Sequence, residues 1–420
     1  MNLEGMLRFA EKFGEAEIYW EEESSLTARY NLDYIETGLH DFSTGFGVRL
    51  VVNGSIGFAY FTRESEYRDA IRKASKLARL RGEKGYELPY SHEGKRVDNF
   101  SPRVADLEFE DLVSILDEVI AGIRRERAKP MQGEVVSSVG KTEIINSTGL
   151  HVIDRSSRIE LDVSSYRGTG TGYDFWSSSE LDFDPRNIGI SAGRDARLLS
   201  TARKLGYEGI IALHPDVFDS LLGVVYSAVN GESVRRGKSP WSDKLGENVA
   251  GKLTLIEDPW LPYFPGTCGF DDEGVPTSKK PIIKDGILER FVYDTRTASL
   301  SDTKSTGNGF RDSYQSEPEI SLTNVVVEFP ESEPMKDMDE FLFIRSLMGY
   351  HNMNIKTGDF ALTIDGAFLH KNGKVMPVKG SMFIGNVFDI LKRIELSSEE
   401  IFRRGNFLSP VIFFHGKIIV

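Results

Sequence analysis

One cysteine, two glutamines and seven histidines in 420 residues set the first limits on this chain. A lone thiol, Cys268, cannot close an intramolecular disulfide, so no oxidative scaffold is expected. Positive charge is also in deficit. Lys and Arg number 51 against 64 Asp and Glu, a formal charge of −13. Affinity for nucleic acid comes largely from counterions released by Lys and Arg, so a nucleic-acid partner is not expected. Long hydrophobic runs are missing too. Residues 50–62, among the longest uncharged stretches, contain Gly54 and Gly57 and fall short of the ~18 apolar residues that span a membrane. The first twenty residues carry Glu4, Glu11, Glu15 and Glu17 and no continuous apolar stretch, which is not the pattern of a signal peptide. The expectation is a cytoplasmic chain with no membrane partner. The scarcity of glutamine (Gln132 and Gln315) beside abundant Glu, Lys and Arg fits a heat-adapted source.

What is present suits a globular protein: 40% hydrophobic and 27% charged residues over a length that predicts two or three domains. Residues 3–13 have apolar side chains at helical spacing. Residues 16–20 and 26–35 read as strands. Asn53-Gly54 between two β-rich runs marks a type I′ hairpin, because both residues tolerate positive φ. Residues 66–81 and 109–128 read as amphipathic helices, with a long loop over 85–104 between them. Residues 135–147 and 152–167 read as strands, and 187–205 as a helix with Gly206 at its C-cap. Beyond that point only 217–229 and part of 337–348 look helical. Turn signals recur instead at Asp285-Gly286, Asn372-Gly373 and His415-Gly416, which argues for antiparallel hairpins. The expected fold class is α+β: an N-terminal α/β domain over 1–206 and a β-rich, barrel-like domain over 207–420.

Several chemical motifs nearly match. Gly231 and Gly237-Lys238-Ser239 resemble a phosphate-binding loop, but five residues separate the glycines where four are needed for the backbone N–H groups to converge. Gly168, Gly170 and Gly172 precede Tyr173 where a dinucleotide fingerprint needs glycine, and a surface turn is the simpler reading. His92-Glu93 begins like a zincin helix, yet Arg96 and Val97 stand where the second histidine would be. No two of the seven histidines lie three to five residues apart, the spacing that brings two imidazoles to one ion on a helix. A Gly-x-Ser-x-Gly elbow is absent. Asp271, Asp272 and Glu273 could hold a metal or polarise water, although Gly274 and Pro276 make a solvated turn the commoner outcome. Cys268 reads as a small buried hydrophobe.

Six blocks in the second half nevertheless follow one another in a recognisable order: 234–247 with Arg236-Gly237 and Ser239; Phe270 to Thr277; Lys284 to Leu288; Tyr293 to Ala298; Thr306 to Tyr314; and 373–385 with Val378-Lys379-Gly380. In the first half, Asp41 to Arg49 and the Asn53-Gly54 hairpin agree more loosely. In these blocks the chain resembles the TldD/TldE (PmbA) family of peptidase-like proteins. The resemblance implies a two-domain subunit and dimers enclosing a cavity for extended or unfolded peptides. It also implies that a TldD-type subunit binds zinc through a His-Glu-x-x-x-His helix and a cysteine near its C-terminus, with the Glu as general base. Three such ligands leave a zinc position open for water. Here the helical motif would fall near 222–227, which holds Leu222, Gly223 and Ser227, and residues 403–410 contain no cysteine. The chain thus resembles the TldE (PmbA) type, with no metal or cofactor of its own.

The first reading is therefore a non-catalytic subunit paired with a TldD-type zinc subunit. Two others stand beside it: a self-sufficient homodimeric hydrolase with an atypical site on Asp271, Asp272 and Glu273, and a peptide-binding module without protease activity. The peptide-cleft candidates are Asp271, Asp272, Glu273, Thr306, Asn308, Gly309 and Arg311. Gly307 and Gly309 suit close backbone approach, so this loop either contacts peptide or shapes a turn.

Overall fold

The computed structural model describes every residue except Met1, Asp33, Glu83, Lys84 and residues 91–93, and all described side chains except those of Glu36 and Thr37. Helix α1 (Leu3–Ala10) leads into β1 (Glu15–Asn31), β2 (Tyr34–Val52) and β3 (Ser55–Phe61). Helices α2 (Tyr67–Arg81), α3 (Pro102–Ala105) and α4 (Phe109–Arg125) follow, then β4 (Lys129–Asn146), β5 (His151–Arg167), β6 (Gly170–Ser178) and α5 (Pro185–Leu199). The six strands form one antiparallel sheet in the order β3-β2-β1-β4-β5-β6. Asn53 and Gly54 take positive φ (53° and 76°) between β2 and β3, as a type I′ turn requires.

Side-chain alternation gives this sheet two different faces. Ala16, Ile18 and Trp20 of β1 join Val48 and Leu50 of β2 in a core with α1 and α2. Leu112, Leu116 and Val119 of α4 join Ala192 and Ala196 of α5 over β4 and β5. The opposite face presents Glu17, Tyr19, Glu21 and Arg49, and the second half of the chain covers it. Contact between α5 and β6 is close enough to depend on glycine. A Cβ on Gly172 would lie 1.9 Å from the Ala192 carbonyl oxygen. Gly172→Ala is expected to cost about 1–3 kcal/mol through overpacking, read as a lower guanidinium midpoint. An unchanged midpoint would mean that the helix can lift off the sheet freely.

The second half begins with the strand Tyr207–Leu213 and helix α6 (Pro215–Val229). Five strands close into a barrel. Tyr207–Leu213 pairs in parallel with Glu340–Met348, which pairs with Asp359–Lys371, then Met382–Asn386, then Phe407–Ile419, which returns to Tyr207–Leu213. Leu221, Leu222, Val225 and Val229 of α6 share a core with Ile211, Leu213, Leu342, Ile344 and Phe414 of the barrel wall.

The α+β class is as expected, and the Asp285-Gly286 and Asn372-Gly373 turns form with positive φ at all four residues. Several local expectations need correction. Residues 340–348 are strand, not helix. Phe341 and Leu342 pack into different apolar clusters, so the strand is covered on both faces and its continuous apolar run has no period of two to read. His415-Gly416 is no turn: the strand Phe407–Ile419 runs through it, with Gly416 opposite Gly209. Residues 16–20 and 26–31 belong to one 17-residue strand. Helix α5 starts at Pro185 behind the Asp184 N-cap and ends at Leu199, so Gly206 caps nothing.

Candidate functional site

Three of the sequence blocks converge on the covered face of the N-terminal sheet. Residues 41–49 supply Arg49 from β2, directly opposite Glu17 of β1 in register. Arg49 donates from Nε and Nη2 to the two oxygens of Glu17 at 2.8 and 2.5 Å, and from Nη1 to Glu273 at 2.5 Å. Arg311 donates from Nη2 to Glu17 at 2.8 Å, and its guanidinium lies over the ring of Tyr19. These side chains are almost wholly buried. Gly45 and Gly47 leave room for the loop that follows Arg311: a Cβ on Gly45 would sit 2.2 Å from the Tyr314 ring. Glu21 accepts the backbone N–H of Tyr314 at 2.7 Å.

The acid turn is built into this junction rather than solvated. Asp271 Oδ1 accepts the N–H groups of Glu273 (3.0 Å) and Val275 (2.9 Å), and Oδ2 accepts that of Gly309 (2.9 Å). Asp272 Oδ2 accepts the N–H of Arg311 at 2.8 Å. Glu273 Oε2 accepts the N–H of Thr295 at 2.6 Å. Nearby, Thr306 donates to Asn308 Oδ1, and Asn308 Nδ2 donates to Glu257 at 2.7 Å. Lys280 neutralises Glu257 at 2.8 Å and reaches the Thr306 carbonyl. The structure thus brings together Asp271, Asp272, Glu273, Thr306, Asn308, Gly309 and Arg311. Most of them serve one another: Asp271, Glu273, Asn308 and Gly309 are buried.

Asp272 is the member of that set that reaches open space. It lines a cavity of about 540 Å³ between the two halves, with Asn99, Asp154 and Arg158 on one wall and Thr267, Ser321 and Asn406 on the other. Burial, opposed by the Arg311 N–H and charge, pushes the Asp272 carboxyl up to about 6. Burial and then the Glu273 charge raise Asp271 well above the usual carboxylate range, and the same two causes bring Asp294 to about 6. Cys268 borders the cavity, but burial and the charges of Asp272 and Asp271 push its thiol up, the opposite of an activated nucleophile. The walls carry hydrogen-bonding groups of both kinds, which suits binding of a polar chain.

Sequence reading missed Glu17, Arg49, Glu257, Lys280 and Asp294 as parts of this junction. One signal pointed to Arg49: a lone guanidinium in an apolar strand needs a buried carboxylate. His92 and Glu93 lie outside the described residues. Among the described residues, no group of three His, Cys, Asp or Glu could hold a metal ion. On α6, Leu222 is buried in the core, a Cβ on Gly223 would meet nothing within 4 Å, and Ser227 offers one hydroxyl. This donor set does not fit zinc, which takes imidazole, thiolate or carboxylate.

Across the halves, a second charged cluster joins Arg345 and Arg404 to Asp174 of β6, Asp195 of α5 and Asp216 of α6. Arg404 donates to Asp216 at 2.7 Å and to Asp174 at 2.5 Å; Arg345 donates to Asp195 at 3.0 Å and to Asp216 at 3.1 Å. His214 Nδ1 accepts the N–H of Asp216 at 3.2 Å, capping α6. Burial, then the Arg345 charge, hold its imidazole down at about 4.

Three models of one family match successive stretches of the chain. A family model described as the PmbA/TldA metallopeptidase C-terminal domain matches residues 208–418; domain 1 of that family matches 16–78 and its central domain 102–199. Protein MJ0231 of Methanocaldococcus jannaschii is 31% identical, covering 100% of both chains. A protein of Buchnera aphidicola named metalloprotease TldD homolog is 27% identical over 87% of this chain and 81% of its own. The crystal structure of TldE from Thermococcus kodakarensis superposes with a TM-score of 0.91 at 25% identity, covering 100% of both chains. No helix among the described residues is long and apolar enough to cross a membrane.

Proposed function

Because the chain belongs to the PmbA/TldA metallopeptidase family, we propose that it is a non-catalytic, TldE-type subunit of a two-chain zinc metallopeptidase that processes extended or unfolded peptides. One observation carries this reading. Helix α6, where the resemblance sets the metal motif, has Leu222 in the apolar core and Gly223 and Ser227 in place of ligands. Core packing at Leu222 explains why the helix folds without a metal, since no unpaired ligand is left behind. In this role the chain contributes a wall of the peptide chamber, and the 540 Å³ cavity beside Asp272 is the part of it that receives polar main chain. The zinc, the attacking water and the general base belong to a TldD-type partner.

The test is metal content. The chain purified alone, incubated with excess Zn²⁺ and dialysed, is expected to retain almost none, whereas about one tightly held zinc per chain would defeat the proposal. A companion assay mixes the chain with a TldD-type subunit from the same source. Peptide hydrolysis should require both, and full activity from the partner alone would remove this chain from the enzyme.

A further inference from the structure

Helix α6 is apolar on most of its circumference, with Val217, Phe218, Leu221, Leu222, Val224 and Val225 all buried. One stripe differs. Asp219, Tyr226, Ser227 and Asn230 recur at helical spacing and line a second cavity of about 380 Å³. Gly223 stands on the same face, between Asp219 and Tyr226-Ser227, with no atom within 4 Å of where its Cβ would be. The opposite wall is apolar: Val292, Ile320, Leu322 and Val325. This pocket adjoins the larger cavity, since Ser321, Leu322 and Asn406 border both.

We infer that this pocket binds an aliphatic chain ending in a cation, of the lysine or arginine side-chain type, with the charged end on Asp219. The chemistry is set by the two walls. Asp219 accepts one hydrogen bond, from the Tyr226 hydroxyl at 2.6 Å. Among the described residues no Lys, Arg or His forms an ion pair with it, although elsewhere in the fold almost every buried carboxylate has a guanidinium, an ammonium or several N–H donors. Burial, countered by the Tyr226 hydrogen bond and reinforced by the charge of Asp216, brings the Asp219 carboxyl up to about 6, so an arriving cation meets a carboxylate with its charge uncompensated. A methylene stem needs an apolar surface between the charge and the pocket mouth, and Ile320, Leu322 and Val325 provide one. An uncharged aliphatic chain would leave Asp219 unpaired, and a short ammonium would leave the apolar wall bare. Selection for a long cationic side chain therefore follows from the pocket itself. That the side chain belongs to a peptide lying in the larger cavity rests on the reading proposed above.

Isothermal titration with Nα-acetyl-lysine methylamide and its norleucine counterpart tests the pocket without any peptidase partner, so its outcome is separable from that reading. The lysine derivative is expected to bind the full chain at least about tenfold tighter than the norleucine derivative. Asp219→Asn keeps the shape and an oxygen for Tyr226, and should erase that preference. Gly223→Leu fills the open space above the helix and should block both probes, with the denaturation midpoint as the check on folding. Equal binding of the two probes to the unmodified chain, no binding of either, or a preference that survives Asp219→Asn would each overturn the assignment.

Discussion

Replacing Arg49 with methionine is expected to destabilise the protein by about 3–5 kcal/mol, because Glu17 and Glu273 would stay buried without their cation. Both carboxylates are fully buried, and Arg49 serves them with three bonds at once: two parallel ones to Glu17 and one to Glu273. Arg311 still touches Glu17, but among the described residues Glu273 keeps only the backbone N–H of Thr295. Burial works against the charge on Arg49, yet the two glutamates hold its pKa above the ordinary arginine value, so the guanidinium itself stays charged. Lysine should not rescue the loss, since one ammonium cannot reproduce a planar fork. The pair Arg49→Met with Glu273→Gln should recover part of it, because the uncompensated charge is then removed as well. Guanidinium denaturation measures all three variants. A loss below about 1 kcal/mol for Arg49→Met would show that water replaces the guanidinium at little cost.

Asp216→Asn is expected to cost about 3 kcal/mol at neutral pH, with a distinct dependence on acidity. Burial favours the neutral acid at Asp216, but contact with the His214 ring and the paired guanidinium of Arg404 overcome it and place the folded-state pKa far below the usual carboxylate range. A carboxylate whose pKa is lowered by folding contributes stability above its unfolded value, about 3.9, and loses it as pH falls towards the folded value. The gap between the native chain and Asp216→Asn should therefore be constant above pH ~5 and narrow below pH ~4. Asp195, in the same cluster, runs the other way. Its carboxyl is raised to about 6 by burial, so its contribution is complete below pH ~4 and is lost as pH rises through 6. Thermal melts of both chains between pH 3 and 8 separate the two effects. A gap that widens on acidification would rule out Asp216 as the charge that holds Arg404.

The sequence exposed the parts of this site better than their meeting. The blocks at 41–49, 270–277 and 306–314 were each visible as motifs, and the glycines among them, Gly45 and Gly309, are small because another element lies against them. Their convergence is a long-range property: Glu17 and Arg311 are 294 residues apart in sequence. Glu17, Glu21 and Glu23 in β1 look like a solvated strand face, and only the covering half turns Glu17 into a buried anchor. The alternation did hold one clue, since Tyr19 sits between those glutamates on the same face and a large aromatic there asks for cover. The acid turn was legible as a turn but not as buried, because turn chemistry is the same whether solvent or protein lies outside it. Strand 340–348 was misread for a related reason: a wall covered on both faces hides its period.

The closure of the barrel also shapes how the molecule is assembled. Leu213 pairs with Ile412, so the ring joins segments separated by almost half the chain. The N-terminal sheet, by contrast, is mostly a meander of sequence neighbours: β2 pairs with β1 and β3, and β5 with β4 and β6. High contact order slows folding, since the entropy of closing a long loop is lost before the pairing that rewards it is made. During synthesis the first sheet can condense as it emerges, while the strand Tyr207–Leu213 waits with an unpaired edge and an apolar face until Phe407–Ile419 arrives. By this argument the meeting of those two strands is expected to be a slow step in folding, with the core they share open until it occurs.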